Sequence, residues 1–150
     1  MASSHTNLLF HIVFSTKERR PMIVEEFKEE LYKYIGGTIR GERGVLLEIG
    51  GVADHLHLLA KFRADVSVAE MLRRIKSHSS KWINELGRTR FPFAWQTGYA
   101  AFSVSQSQVE KVRDYIRNQE QHHRRESFQE EFLNLLKKHG LEYDERYLWT

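Results

Sequence analysis

The stretch Val45-Leu-Leu-Glu-Ile-Gly-Gly-Val-Ala-Asp-His-Leu-His-Leu-Leu-Ala-Lys-Phe62 decides the fold that we predict for this chain. Two runs rich in apolar residues, 45–49 and 55–62, are typical of strands. Between them, Gly50-Gly51 and Asp54 indicate a short connection. The stretch is therefore predicted to form an antiparallel hairpin.

Similar patterns on both sides of this hairpin predict the other elements. In chain order they are a strand over 7–14, a helix from about Val24 that Gly36-Gly37 weakens at its end, a helix that starts at Ser67-Val-Ala-Glu70, a strand over 99–104, a helix over about 108–122, and a last helix that opens at Ser127 and stops near Gly140. The order is β-α-β-β-α-β followed by two helices.

The first six elements have the order of a ferredoxin-like (RRM-like) α+β sandwich with an antiparallel sheet. In that fold the first and third strands lie at the centre of the sheet, so the strand over 55–62 is predicted to be central. The two C-terminal helices are additions to the sandwich. Because no linker, repeat or low-complexity stretch divides the chain, we expect one domain over residues 1–150.

Composition excludes some classes of protein. The chain of 150 residues has no cysteine, which excludes disulfides and thiolate metal sites and suits a reducing compartment. Residues 1–6 lack the pattern of a secretory signal, and no apolar run approaches membrane-spanning length. A cytoplasmic protein without a membrane partner is therefore expected. A net charge of +3 permits nucleic acid as a partner without requiring it.

The two histidines of the third strand are candidate metal ligands. His55 and His57 are two residues apart, so their imidazoles point to the same sheet face and can converge on one cation, while Leu56 points into the core. Spacing alone leaves another interpretation open, because paired strand histidines are more often surface residues or hydrogen-bonded ones than ligands.

A tyrosine and a glutamine form a second constellation. Tyr115 and Gln119 lie four residues apart on a predicted helix and therefore share a face. A metal between His55, His57 and the Gln119 carbonyl oxygen could polarise a phosphate that the Tyr115 hydroxyl attacks. The alternative is a tyrosine that packs with its ring and hydrogen-bonds with its hydroxyl. The chain has no phosphate-binding GxxxxGK[ST] loop.

Basic and aromatic residues offer candidate contacts to nucleic acid. The candidate phosphate contacts are Lys17, Arg19, Arg20, Arg73, Arg74, Lys76 and Lys81. Phe93, Trp95 and Tyr99 could stack on unpaired bases. A solvated helix face and an aromatic loop packed on the core are the alternatives.

Four stretches together resemble the single-tyrosine HUH transposases of small bacterial and archaeal insertion sequences, a superfamily that includes the REP-associated tyrosine transposases. They read His11-Ile-Val-Phe-Ser-Thr-Lys-Glu-Arg-Arg-Pro21, Gly51-Val-Ala-Asp-His-Leu-His-Leu-Leu59, Trp95-Gln-Thr-Gly-Tyr-Ala-Ala-Phe-Ser-Val-Ser105 and Tyr115-Ile-Arg-Asn-Gln-Glu-Gln-His-His123. Each is weak singly, but their order and separations span nearly the whole chain and are specific.

The resemblance implies a ferredoxin-like fold with a metal-dependent DNA site. It implies that His55 and His57 bind Mg²⁺ or Mn²⁺, that Gln119 is the third ligand and that Tyr115 is the nucleophile. The implied reaction is cleavage and strand transfer of single-stranded DNA with hairpin ends through a 5′-phosphotyrosine intermediate, carried out by a homodimer. The polar segment 105–107 could permit exchange of the tyrosine helix between subunits.

Several alternatives stay open at this point. Glu120 and His122 are other candidates for the third ligand, whereas Asp54 is expected to point away from His55. Two imidazoles and an amide are an unusual shell for Mg²⁺, which prefers oxygen. The chain could also be a catalytically inactive or domesticated single-stranded nucleic-acid-binding protein, or a metal hydrolase that activates water.

Overall fold

A computed structural model describes residues 3–150 and has the predicted α+β architecture. Met1 and Ala2, which the predicted domain 1–150 includes, lie outside the described residues. The strands are β1 (Leu8–Ser15), β2 (Val45–Val52), β3 (His55–Phe62) and β4 (Ala100–Val104). They form an antiparallel sheet in the order β2-β3-β1-β4. The strand with the two histidines is central, as predicted.

The helices are α1 (Glu25–Gly41), α2 (Val68–Leu86), α3 (Val109–Arg117), α4 (Gln119–His122) and α5 (Phe128–Lys138). Short 3₁₀ turns cover Lys17–Arg19, Gln106–Gln108 and Glu145–Tyr147. The Ser67 and Ser127 hydroxyls accept hydrogen bonds from the backbone N–H groups three residues later, so both predicted caps are confirmed. Within residues 3–150, no helix is both long enough and apolar enough to span a membrane.

Glycines have other roles than the sequence suggested. The prediction that Gly36-Gly37 weakens the end of α1 is wrong, because α1 continues to Gly41 and buries Phe27, Leu31, Ile35 and Ile39 along one face. Packing of this face outweighs the low helix propensity of glycine. Gly50-Gly51 do not connect the hairpin strands either. They lie within β2, and the turn is at Ala53-Asp54.

The predicted third helix is divided in two. Its first part, α3, ends at Arg117, and Asn118 has φ −98° and ψ 24° before α4 begins at Gln119. The Asn118 side-chain amide donates to the Asp114 carbonyl oxygen at 2.8 Å. Asparagine competes in this way with the helical hydrogen bonds of the backbone. Tyr115 and Gln119 therefore belong to successive short helices.

Residue parity separates the two faces of the central strands. The even positions of β1 and β3, among them Ile12, Phe14, Leu56 and Leu58, pack with α1 and α2 in the main core. The odd positions face the other side, where Val13 packs with α5 and Leu59 packs with α3. The sheet is thus covered on both faces, and the odd-numbered face also carries the histidines.

Candidate active site

The candidate site lies between the odd-numbered face of β1 and β3 and the helices α3, α4 and α5. His55 and His57 follow the strand alternation, and neither exposes any of its surface. A close approach of α3 to β2 brings the helix over this face, because a β-carbon on Gly50 would lie only 2.3 Å from the Ile116 carbonyl oxygen. Glycine at position 50 therefore lets α3 pack where Tyr115 can reach the histidines.

One carboxylate on α5 connects the histidines. Oε1 of Glu131 lies 2.9 Å from His57 Nε2, 3.3 Å from His55 Nε2 and 3.1 Å from His123 Nε2. Only 1% of the Glu131 surface is exposed. The Nε2 atoms of the predicted metal pair thus face one buried oxygen atom.

The other oxygen of Glu131 faces the predicted nucleophile and the predicted third ligand. Oε2 accepts a hydrogen bond from the Tyr115 hydroxyl, and a second from the Gln119 amide at 3.1 Å. The Gln119 carbonyl oxygen lies 3.1 Å from His55 Nε2. The structure therefore brings His55, His57, Tyr115 and Gln119 together within one chain.

The second nitrogen of each histidine also has a partner. Nδ1 of His55 lies 2.7 Å from Asp54 Oδ1, and Nδ1 of His57 lies 2.9 Å from His11 Nε2. Such partners fix the orientation of a ligating imidazole. The expectation that Asp54 points away from His55 is wrong, because Asp54 lies in the turn before β3, where strand alternation does not apply.

Burial and neighbouring carboxylates shift the histidine pKa values in opposite directions. Burial lowers the pKa of His57, and burial together with the neighbouring His57 lowers the pKa of His11 to about 3. Burial also disfavours the charged form of His55, but hydrogen bonds to Asp54 and Glu131 outweigh this effect and raise its pKa. His11 and His57 are therefore neutral at pH 7.

The pKa values of Tyr115 and Glu131 are shifted in opposite directions. Burial and the Glu131 carboxylate raise the pKa of the Tyr115 hydroxyl. For Glu131, burial disfavours the carboxylate, but hydrogen bonds from His123, His55 and His57 outweigh it and lower the pKa. The pair thus consists of a protonated phenol that donates a hydrogen bond to an ionised carboxylate.

Glu131 was missed by the sequence analysis. Its signal was a charged residue on the buried stripe of α5, between the core residues Phe128, Phe132 and Leu135. A buried carboxylate in such a stripe needs partners to offset its desolvation. The stripe indicates that Glu131 is buried, but only the fold shows which residues it meets.

The other candidates for the third ligand lie outside this cluster. Glu120 is exposed and forms an ion pair with Lys28 at 3.3 Å. The His122 ring packs against Tyr115 with centroids 4.7 Å apart. Neither side chain has a hydrogen bond to His55 or His57 among the interactions of residues 3–150.

The site residues suit a divalent cation. His55, His57 and Glu131 each offer one ligand atom, and these three atoms lie within 4.8 Å of one another. The Gln119 carbonyl oxygen is adjacent to them. The carboxylate supplies the charged oxygen that Mg²⁺ and Mn²⁺ prefer and that two imidazoles and an amide would lack.

Most candidate DNA contacts on α2 are occupied within the chain. Arg73 and Arg74 both pair with Glu70, and Arg74 also pairs with Glu42. Lys76 donates to the carbonyl oxygens of residues 96, 97 and 98 at 3.0, 3.2 and 2.6 Å, and burial lowers its pKa to about 8. Lys76 is therefore placed to stabilise the 96–98 loop, which its sequence did not indicate.

The remaining candidate contacts differ in exposure. Lys17 is exposed, and so is Lys81, which lies 4.0 Å from Glu85. Arg20 pairs with Glu18 at 2.9 Å. The Arg19 guanidinium lies over the Trp149 ring at 5.0 Å.

Trp95 has no free face for a base. Its ring packs edge-on against Phe14 and Phe93, its N–H donates to the Ser79 hydroxyl at 2.9 Å, and 8% of its surface is exposed. Base stacking by Trp95 therefore does not fit this conformation, because the ring belongs to the core. Phe93 is also buried, whereas Tyr99 is 38% exposed.

The fold and the site define a ferredoxin-like α+β domain with a candidate metal centre and a tyrosine beside it. The chain belongs to the IS200-like transposases, because the model of that family matches residues 4–119. This match confirms the family resemblance of the sequence. It ends at Gln119, so that Glu131 and α5 lie beyond the matched residues.

Two curated relatives are similar in sequence. They are the transposases for insertion sequence element IS200 of Salmonella typhimurium (strain LT2) and of Salmonella typhi. Each is 27% identical over 124 residues, which cover 79% of this chain and 81% of the relative. The similarity therefore extends over most of both chains.

Two solved structures share the fold. A putative transposase from Deinococcus radiodurans R1 has a TM-score of 0.63 and 20% identity, over 79% of this chain and 95% of the other. A REP-associated tyrosine transposase bound to a REP hairpin has a TM-score of 0.61 and 14% identity, over 82% and 74%. At these identities the likeness establishes the fold alone.

Proposed function

We propose that this transposase cleaves and rejoins single-stranded DNA with Tyr115 as its nucleophile. One observation carries the proposal: the Tyr115 hydroxyl and the Nε2 atoms of His55 and His57 meet at the two oxygens of Glu131. A tyrosine that served packing alone would not need this arrangement. Family membership supports the same chemistry.

The proposed step is a displacement at phosphorus. The Tyr115 oxygen forms a bond to the phosphorus while the bond from phosphorus to the 3′ oxygen breaks. The tyrosine hydroxyl loses its proton, and the departing 3′ oxygen gains one, so that the products are a 5′-phosphotyrosine and a free 3′-hydroxyl. Attack by a 3′-hydroxyl on the phosphotyrosine reverses these changes and rejoins a strand without ATP.

Glu131 is the acceptor nearest to the tyrosine proton. Because the pKa of Tyr115 is raised, the hydroxyl keeps its proton at neutral pH until attack begins. Oε2 of Glu131 already accepts the hydrogen bond of this hydroxyl, and the proton moves along it as the bond to phosphorus forms and makes the phenol oxygen less basic. The His122 ring packs against the Tyr115 ring, and the Gln119 amide donates to the same Glu131 oxygen as the hydroxyl.

We propose His55, His57 and Glu131 as ligands of Mg²⁺ or Mn²⁺, with the Gln119 carbonyl oxygen as a further ligand. When bound, the cation would polarise the scissile phosphate and offset the charge that develops on its oxygens. Asp54 and His11 hold the two imidazoles in place from behind.

We propose DNA with hairpin ends as the substrate and a homodimer as the working form. The similar REP-associated transposase structure, which is bound to a REP hairpin, supports the substrate class. A cytoplasmic location fits both the DNA substrate and the homodimer. Lys17 and Lys81 remain proposed phosphate contacts, since both side chains are exposed.

A second candidate function is single-stranded nucleic-acid binding without catalysis. The complete burial of His55 and His57 favours it, because a phosphate cannot reach them in this conformation. Catalysis therefore requires a local opening that admits a phosphate to the histidines while Glu131 stays within reach of them. The two functions differ in whether a covalent product forms.

A covalent-adduct assay separates the two candidates. Labelled single-stranded oligonucleotides from the flanks of the gene are mixed with protein and Mn²⁺, denatured, and resolved on a gel. A labelled protein band that disappears with chelator and in Tyr115→Phe supports the transposase mechanism. Tyr147→Phe is the matched control, since Tyr147 is 66% exposed and lies outside the site. Binding without an adduct from any flank would leave the binding function.

A further inference from the structure

A groove opens beside the candidate active site, between α3, α5 and the end of β4. It encloses about 590 Å³ and is open to solvent on one side. Tyr115 and His11 are among the residues that line it. His55, His57, Gln119 and Glu131 do not line it, so the nucleophile is the part of the site that the groove reaches directly.

The groove carries positive charge that is free to bind an anion. Lys111 of α3 and Lys138 of α5 line it, and both are exposed. Neither forms an ion pair with any residue in the described range 3–150. This distinguishes them from Arg73, Arg74 and Lys76 of α2, whose cationic groups already have partners within the chain.

The wall between the two lysines is apolar. Val104, Val112 and Leu135 line it, and the His139 ring stacks on Phe102 with centroids 4.0 Å apart. Ser105 and Gln108 add hydrogen-bonding groups at the rim. An apolar wall with cations at its edges is complementary to a nucleotide, whose base is flat and whose phosphates are charged.

We propose that this groove binds the nucleotide next to the scissile phosphate of single-stranded DNA. The base packs on the apolar wall, Lys111 and Lys138 contact the flanking phosphates, and the scissile phosphate is thereby placed at Tyr115. The inference rests on the proposed function for the identity of the strand, but it concerns binding and can be tested without cleavage.

The first test is the salt dependence of binding. Anisotropy of fluorescein-labelled oligo-dT is titrated with Tyr115→Phe protein in chelator, so that no chemistry occurs. Adding Lys111→Ala and Lys138→Ala together should weaken binding at low salt by ~10-fold or more and reduce the slope of log K against log salt by about 0.7 for each lost contact. Lys138→Ala alone is compared with Lys137→Ala, which removes the same single charge from α5 outside the groove.

Equal affinities and slopes for Lys138→Ala and Lys137→Ala would overturn the proposed binding groove while leaving the adduct chemistry intact. Conversely, a selective loss of binding in the double variant would support the groove even if no adduct is ever found. The two proposals therefore fail independently.

Position is tested by photo-cross-linking. Oligo-dT with 5-iodo-deoxyuridine at successive positions is cross-linked to Tyr115→Phe protein, and the attached peptides are identified by mass spectrometry. We expect cross-links to residues 103–112 or 135–139, and their loss in Val104→Trp, because Val104 pairs with Leu9 and lies on the sheet face that lines the groove. Cross-links confined to residues 73–81 of α2 would overturn the proposal.

Discussion

The Tyr115 hydroxyl donates a hydrogen bond to Glu131, and the second carboxylate oxygen of Glu131 faces His55 and His57. One side chain from the last helix thus connects the proposed nucleophile with the proposed metal ligands. Glu131 lies beyond the residues that the family model matches. The proposed role of α5 in the chemistry therefore rests on the structure of this chain and not on the family match.

Neutralising this carboxylate should weaken metal binding. Glu131→Gln keeps the shape of the side chain but removes its charge, so we expect Mn²⁺ affinity to fall by at least ~10-fold and adduct formation to fall with it. Electron paramagnetic resonance of free Mn²⁺ measures the affinity. Glu130→Gln, at the exposed neighbouring position, should change neither quantity. An unchanged Mn²⁺ affinity in Glu131→Gln would exclude the carboxylate as a ligand.

Subunit complementation tests whether the tyrosine acts on its own histidines. In the structure Tyr115 reaches the site of the same chain, so mixed dimers of Tyr115→Phe and His57→Ala should give almost no adduct if this arrangement is the working one. Restored adduct in the mixture would instead indicate that α3 is exchanged between subunits across the segment 105–107. Each variant assayed alone gives the baseline level of adduct.

Gly50 should be intolerant of any side chain. A β-carbon there would meet the Ile116 carbonyl oxygen at 2.3 Å, so Gly50→Ala must push α3 away from β2. We expect a loss of about 1–3 kcal/mol in the free energy of unfolding, together with loss of adduct. Urea denaturation measures the first quantity.

Gly37→Ala provides the opposite case. Position 37 is inside α1, and the nearest atom to its β-carbon would be the Arg40 guanidinium at 4.0 Å. There alanine should increase the free energy of unfolding by roughly 0.5–1 kcal/mol, since glycine is the less favourable helix residue. Equal effects of the two substitutions would show that the close approach of α3 does not limit position 50.

Stability should fall on the acid side of pH 6.5. The pKa of His11 is about 3 in the folded chain, against 6.5 in an unfolded one. Between these values the unfolded chain binds a proton that the folded chain does not, so the stabilisation present above pH 6.5 is lost as pH falls towards 3. The expected slope is up to about 1.4 kcal/mol per pH unit for each such proton.

His11→Gln identifies the contribution of this residue. The substitution removes one titrating group, so urea midpoints measured in chelator between pH 4.5 and 6.5 should depend less steeply on pH than in the unchanged chain. His78→Gln, at an exposed position of α2, should leave the slope as it is. Parallel slopes for both variants would assign the acid sensitivity to other groups.

The sequence predicted those parts of the site that depend on local spacing. Strand alternation gave His55 and His57 a common face. Tyr115 and Gln119 both contact Glu131, although the prediction that they share one helix was wrong. Strand order followed from the order of elements, which placed β3 at the sheet centre. These features need only the few residues around each position.

The parts that the sequence did not predict depend on contacts between distant segments. Glu131 meets His57 across 74 positions of the chain, and no local pattern encodes that distance. Lys76 looked like a phosphate contact because its charge is visible in the sequence, whereas the three carbonyl groups that it binds are not. Trp95 looked like a stacking platform for the same reason.

The alternation of side chains along β1 and β3 limits which deletions and insertions this protein can accept. A single substitution in these strands alters one face of the sheet. Deletion of a single residue within β3 would instead turn every side chain that follows it in the strand to the opposite face. Leu58 would then point towards Tyr115, and the imidazole of His57 would enter the apolar layer beneath α1 and α2. Length variation should therefore be tolerated in the loop before α2, but not within the two central strands or at the Ala53-Asp54 turn, where Asp54 contacts His55.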